Sequence, residues 1–189
     1  FDKVFLISPS MKTLNLKKLR LADERMFMKY SDELMENIIE TEKAGENLNN
    51  AVILDDCIRD LSKSKSLSKI ILNRRHCCQS SDFPNQNGLT IFITSQKYNQ
   101  FPLCFRTVCS HFVLFQTRNA KELNAIKDEL MTDLTPSQQD AVLKLAWAEK
   151  YGFLFIDSTK PTSDRYYQNF NKIVIESDSD DEYDSEDTF

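Results

Sequence analysis

The sequence predicts an α/β protein with a mostly parallel sheet. Short apolar runs of strand length recur along the chain, Val4–Ile7, Ala51–Leu54 and Phe112–Phe115, with a fourth over Leu89–Thr94 broken only by threonines. Segments with helical spacing or helix-start chemistry lie between them. Strands that read as continuous apolar runs, alternating with helices, are the mark of a sheet covered on both faces.

Each element has a local reason. Val4–Ile7 ends at Ser8-Pro9-Ser10, a strand running into a loop. Residues 11–30 show no clean period. Ser31 can cap a helix that places Leu34, Met35, Ile38 and Ile39 on one face. Gly45 to Asn50 closes it, and the strand Ala51–Leu54 follows. Leu67, Ile70 and Ile71 share a helical face over about 66–75. Residues 77–88, CCQSSDFPNQNG, read as a surface loop. A strand over 89–94 then leads to a short helix begun by Pro102. Asn119 with Glu122 signals a helix to about 131. Thr135, Pro136 and Gln138 signal another to about 149. Phe153–Ile156 and Lys172–Ile175 read as two closing strands.

Composition narrows the class. A chain of 189 residues has room for about one domain, and 41% hydrophobic content supplies a core. No apolar run approaches the roughly 18 residues of a membrane span, so no membrane partner is expected. The net charge of −5 divides unevenly: residues 176–189 carry eight acidic and no basic side chains. The remaining body is near +3, and the tail is expected to be solvated and disordered. Ser177, Ser179 and Ser185 sit among its acids, so it reads as a solubilising end or as a partner-docking, phosphorylated segment. The expected organisation is a body over 1–175 and a tail over 176–189.

Five cysteines, two of them adjacent at Cys77-Cys78, make no disulfide framework and point to a reducing, intracellular compartment. His76 and His111 lie near cysteines, but the spacings do not match common zinc pairs, which favours free thiols.

Two stretches can carry chemistry. Ala51–Leu54 delivers Asp55 and Asp56 to the C-terminal edge of a parallel sheet, where α/β proteins bind ligands. The first carboxylate can hold Mg²⁺ and the second can orient or deprotonate water, the form of a Walker B element. An ordinary polar turn after an apolar strand has the same look. Thr94-Ser95-Gln96 ends the next strong strand, and a glutamine there can position water or sense a phosphate. Arg75, Arg106 and Arg118 are arginines that one subunit could present to another's nucleotide.

The order FDKVFLISPS, AVILDDC, NRRH, LTIFITSQKYNQFPLCFRT and HFVLFQTRNAKELNAI resembles the poxvirus-type DNA-packaging ATPases, a branch of the FtsK–HerA superfamily. The resemblance spans about residues 1–175 and is most specific from Leu89 to Ile126. It implies a RecA-like P-loop NTPase core that binds ATP and Mg²⁺. It implies hydrolysis in a homo-oligomeric ring that drives double-stranded DNA into a capsid, with capsid or portal proteins as partners. Its setting would be the host cytoplasm, a viral factory or the virion. By the same resemblance, Asp55 is the Mg²⁺ ligand of the Walker B motif and contributes to cofactor binding. Asp56 is the catalytic acid position. Gln96 is the polar residue of the sensor strand, and Arg106 is the trans-acting arginine. Arg75-His76 matches a basic pair ahead of that strand. Lys69, Arg74 and Arg75 are the candidate DNA contacts, through the backbone rather than the bases, and a solvated helix face has the same look.

One departure is large. The family's phosphate loop, GxxxxGK followed by Ser or Thr, is absent, and the three glycines, Gly45, Gly88 and Gly152, are scattered. In the family this loop follows a first strand that lies beside the sensor strand. The chain begins at Phe1, so it reads as an N-terminally truncated fragment, a partial core without the first strand and the phosphate-binding loop. Two other readings stay open: a degenerate, non-catalytic copy of viral origin, and an interaction scaffold acting through its acidic tail.

Overall fold

Strand β1 (Lys3–Ile7), β2 (Met26–Phe27), α1 (Asp32–Lys43) and β3 (Asn50–Leu54) open the chain. α2 (Ile58–Leu61), α3 (Lys65–Leu72), β4 (Leu89–Ile93) and α4 (Leu103–Arg106) follow. The four strands pair in the order β2-β1-β3-β4, and every pairing is parallel. This computed structural model describes residues 1–13, 21–43, 49–73 and 88–175. Arg74, Arg75, His76, Cys77, Cys78 and the acidic tail lie outside the described residues. The chain divides into one unit over Phe1–Val108 and a second from Cys109 onward.

The apolar runs explain the inner strands. Ala51, Val52 and Leu54 of β3 and Ile7 of β1 are fully buried, as strands covered on both faces must be. The core around them takes Met35, Ile38 and Ile39 from α1, and Leu67, Ile70 and Ile71 from α3. Those are the residues whose spacing predicted a single helical face. α1 and α3 pack together, and their first turns are tied by side chains. Tyr30 Oη donates to Asp32 Oδ1 at 3.0 Å, and the Ser64 hydroxyl donates to the same carboxylate. Ser64 also caps α3 by accepting the Leu67 N–H at 2.9 Å. The Ser64 bond, the largest influence on Asp32, holds its carboxyl below the usual range.

The second unit departs from the expected single, mostly parallel sheet. β5 (His111–Phe115), α5 (Ala120–Leu130), α6 (Pro136–Ala146), β6 (Phe153–Asp157), β7 (Tyr166–Gln168) and β8 (Asn171–Lys172) follow in order. The strands form a separate sheet, β5-β6-β7-β8, antiparallel throughout. The physical reason is the helical return between β5 and β6. α5 and α6 are eleven residues each, so together they carry the chain out and back to the end of β5, and β6 runs back along it. Between β3 and β4, α2 is only four residues long, α3 makes the return, and β4 is parallel. The expected strand over Lys172–Ile175 is displaced: β8 stops at Lys172, Ile173 is buried, and Val174 is 81% exposed. Neither β2 nor β7 was predicted, because runs of two and three residues are too short to show a period.

Both predicted helix starts form. Asn119 accepts the Lys121 and Glu122 N–H groups, although Glu122 turns its carboxylate to the Thr117 hydroxyl at 2.8 Å. At α6 the capping box is complete, with Gln138 N–H on Thr135 Oγ1 and Thr135 N–H on Gln138 Oε1. The helix ends at Ala146 rather than near 149. Gly152 turns the chain into β6 where a Cβ would meet the Ala146 carbonyl oxygen at 2.7 Å. No helix of the described residues is long and apolar enough to cross a membrane.

Candidate functional site

Register builds the site. Ile7 lies beside Leu54, and Leu54 lies beside Ile93, so β1, β3 and β4 end level with one another. The ladder runs one step further: Asp55 N–H donates to Ile7 O at 2.9 Å, and Thr94 N–H donates to Leu54 O at 3.0 Å. Ser8, Asp55 and Thr94 therefore form a row across the C-terminal edge of the parallel sheet, the side on which open α/β sheets bind ligands.

The side chains close on one another along this row. Ser8 Oγ donates to Asp55 Oδ2 at 2.7 Å, and Thr94 Oγ1 donates to Asp55 Oδ1 at 2.7 Å. Asp56 N–H donates to Thr94 Oγ1 at 3.1 Å, and Gln96 Nε2 donates to Asp56 Oδ2 at 3.0 Å. Asp56 has φ 51°, in the left-handed region that costs a residue with a Cβ about 1 kcal/mol. Aspartate is among the residues that tolerate it. Ser8 is fully buried, both aspartates are half-buried, and Thr94 and Gln96 are exposed. The row thus runs from the interior out to solvent.

Cys57 lies directly beneath. Its Sγ donates to Ile7 O at 3.4 Å and Asp55 O at 3.3 Å. Burial, helped by the charges of Asp60, Asp55 and Asp56, pushes its thiol up to about 12. It is an inert core group rather than a nucleophile.

The expected residues separate into three groups. Asp55, Asp56 and Gln96 come together. Arg106 does not join them: Nη1 donates to Tyr98 O at 3.3 Å and the guanidinium lies 4.8 Å above the Tyr98 ring. Lys69 is exposed on α3, beside a groove lined by Glu36, Glu40 and Ser66. Arg74 and Arg75 fall outside the described residues.

Ser8 carried no role in the sequence reading, and Thr94 was only part of a polar triplet. A signal for both existed: VFLI, AVIL and TIFI are each followed at once by an oxygen-bearing side chain. Aligning the three strand ends would have set Ser8, Asp55 and Thr94 side by side.

The donor set is wholly oxygen: two carboxylates, two hydroxyls and the Gln96 amide. Such a set suits Mg²⁺, which takes one or two carboxylates and fills its remaining positions with water and phosphate. Among the described residues no three His, Cys, Asp or Glu side chains cluster as a self-sufficient metal cage. A nucleotide triphosphate is a different matter. Neither described glycine, Gly88 or Gly152, has a positive φ, and none of the 189 residues forms a glycine-rich loop. These residues fit the cation but not the phosphate chain.

No family model matches this sequence, and no curated protein matches it. Solved structures do. The genome packaging NTPase B204 from Sulfolobus turreted icosahedral virus 2, in complex with ATPγS, is similar with a TM-score of 0.59 at 12% identity, over 92% of this chain and 83% of that one. B204, the DNA-packaging ATPase from Sulfolobus turreted icosahedral virus, gives 0.59 at 14% identity, over 92% and 84%. The complex of the former with AMPPCP gives 0.58 at 14% identity, over 92% and 84%. The chain is a mixed α/β protein with a parallel sheet, and it shares the fold of a viral genome-packaging NTPase.

Proposed function

We propose that this chain is the carboxylate-bearing body of an ATP-driven DNA translocase that packages viral genomes as a ring of like subunits. The observation that carries this reading is the row Ser8-Asp55-Thr94, with Asp56 and Gln96 attached, at the C-terminal edge of a B204-like sheet. B204 structures hold ATPγS, AMPPCP or AMP, which supports a nucleotide as the ligand here.

In this reading Asp55 holds Mg²⁺, which when bound neutralises phosphate charge. Asp56 orients and deprotonates the attacking water. Gln96, bonded to Asp56, sets the direction of that carboxylate. Arg106 serves a neighbouring subunit after leaving the Tyr98 ring, and Lys69, Arg74 and Arg75 grip the DNA backbone. The phosphate loop comes from outside these 189 residues. β4 supports this, since it is a sheet edge among the described residues although all its side chains but Thr90 are apolar. Phe92 is 47% exposed, with the Phe1 ring packed edge-on against it at 5.9 Å. A strand carrying the loop would pair with that edge, and without it the edge is an aggregation hazard.

The 189-residue chain alone should therefore bind ATP with Mg²⁺ more weakly than about 1 mM by calorimetry. Micromolar binding by the monomeric chain would place the phosphate site inside these residues and overturn the reading.

A further inference from the structure

The hydroxyls beside Asp55 have their proton directions fixed by their other bonds. Thr94 Oγ1 accepts the Asp56 N–H, so its own proton is free for Asp55 Oδ1. Ser8 Oγ accepts the Ser10 N–H at 3.2 Å, so its proton is free for Asp55 Oδ2. The chain of bonds is continuous from the loop after β1, through Asp55 and Thr94, to the backbone of Asp56. Each carboxylate oxygen spends one lone pair on a hydroxyl and keeps another.

We propose that Ser8 and Thr94 are positioning residues for Asp55, and that Thr94 couples the two aspartates. Asp55 is gripped on both oxygens by donors from the strands on either side, which removes its rotational freedom before any cation arrives. Thr94 also holds the left-handed turn that aims Asp56, because its oxygen is the acceptor of the Asp56 N–H. One hydroxyl thereby sets the spacing between the cation-holding group and the water-orienting group. Groups that orient a metal ligand matter nearly as much as the ligand itself. The inference rests on the cation role proposed above for Asp55.

The test uses Mn²⁺ without nucleotide, in the full-length protein, with free Mn²⁺ read by electron paramagnetic resonance. Asp55→Asn should abolish binding at this site. Thr94→Val, equal in size but without the hydroxyl, should weaken Mn²⁺ binding by about 10- to 100-fold. Thr94→Ser, which keeps the hydroxyl, should stay within about threefold of the parent. The Asp56 amide should exchange slowly in the parent protein and rapidly in Thr94→Val. Parent-like Mn²⁺ affinity in Thr94→Val, with binding lost in Asp55→Asn, would overturn the positioning role and leave the cation reading standing. Unchanged binding in Asp55→Asn would overturn the cation reading itself. If Thr94→Val fails to fold, two results still decide. Fast exchange of the Asp56 amide in the parent protein, or loss of Mn²⁺ binding in Thr94→Ser, would each overturn the proposal. A protected amide with retained binding would support it.

Discussion

Replacing Asp56 by Asn in the full-length protein should lower kcat for ATP hydrolysis by about 10²- to 10⁴-fold, the usual contribution of a positioned general base. Nucleotide affinity should change by less than about threefold, because the lost group acts on water rather than on the ground-state phosphate. Asparagine suits this test. It tolerates the left-handed backbone at φ 51°, and its carbonyl oxygen can still accept from Gln96 Nε2. The fold and the turn survive while the base is gone. Steady-state phosphate release, with nucleotide affinity measured separately, checks both halves. An unchanged kcat would remove Asp56 from the chemistry. A matched collapse of affinity would make it a binding group instead.

The largest stability effect is expected in the second unit, at Asp133. Its carboxylate accepts from Thr162 Oγ1 at 2.6 Å, from Arg165 Nη1 at 2.7 Å and from the Tyr166 hydroxyl. Tyr166 is 1% exposed, and its hydroxyl also donates to Leu130 O at 3.2 Å. Asp133→Ala leaves the buried phenol with Leu130 O alone and a half-buried guanidinium without its counter-charge. Breaking such a partly exposed set should cost the second unit about 1 to 2 kcal/mol. Burial by itself would raise the Asp133 carboxyl, but the Thr162 and Tyr166 hydroxyls and the Arg165 charge outweigh it and hold it below the usual range. The sign of the pH dependence follows. A depressed carboxyl contributes stability above its unfolded value, about 3.9, and loses it as pH falls through the folded value. The parent should therefore lose stability below about pH 4, and Asp133→Ala should show a flatter acid limb. Trp147, the one tryptophan, donates Nε1–H to Leu114 O at 2.9 Å within this unit. Denaturant titrations followed by its fluorescence report this unit. A loss under about 0.5 kcal/mol would show that water replaces Asp133 as the partner of Arg165, Thr162 and Tyr166.

Legibility in the sequence followed the length scale of each signal. β1, β3, β5 and β6 were readable because four consecutive apolar residues leave few alternatives, and β4 because only Thr90 interrupts its run. The helix starts at Ser64, Asn119 and Thr135 differ in outcome. The last two were legible as capping patterns, whereas the alternating Ser and Lys residues around Ser64 concealed its cap. The direction of β6 was not legible locally. It depends on two helices of equal length, α5 and α6, carrying the chain out and back, which is a matter of topology rather than of any residue. Asp55 and Asp56 stood out because paired acids after an apolar strand are chemically conspicuous. Ser8 did not, because serine before proline also reads as a turn. The strand register, which joins residues 47 and 39 positions apart, sets Ser8 and Thr94 on either side of Asp55. Arg106 shows the converse. Its place in the motif order pointed to a neighbouring subunit, while the fold lays it on Tyr98.

ATP hydrolysis at this site requires a phosphate loop that these 189 residues lack, and sequencing the transcript or genomic locus upstream of Phe1 tests the proposed function most directly. The predicted result is an in-frame GxxxxGK followed by Ser or Thr, preceded by an apolar strand of the kind that would pair with β4. A native start codon at or near Phe1, with no such motif upstream, would contradict it. Asp55, Asp56 and Thr94 would then form a site with no phosphate-binding half.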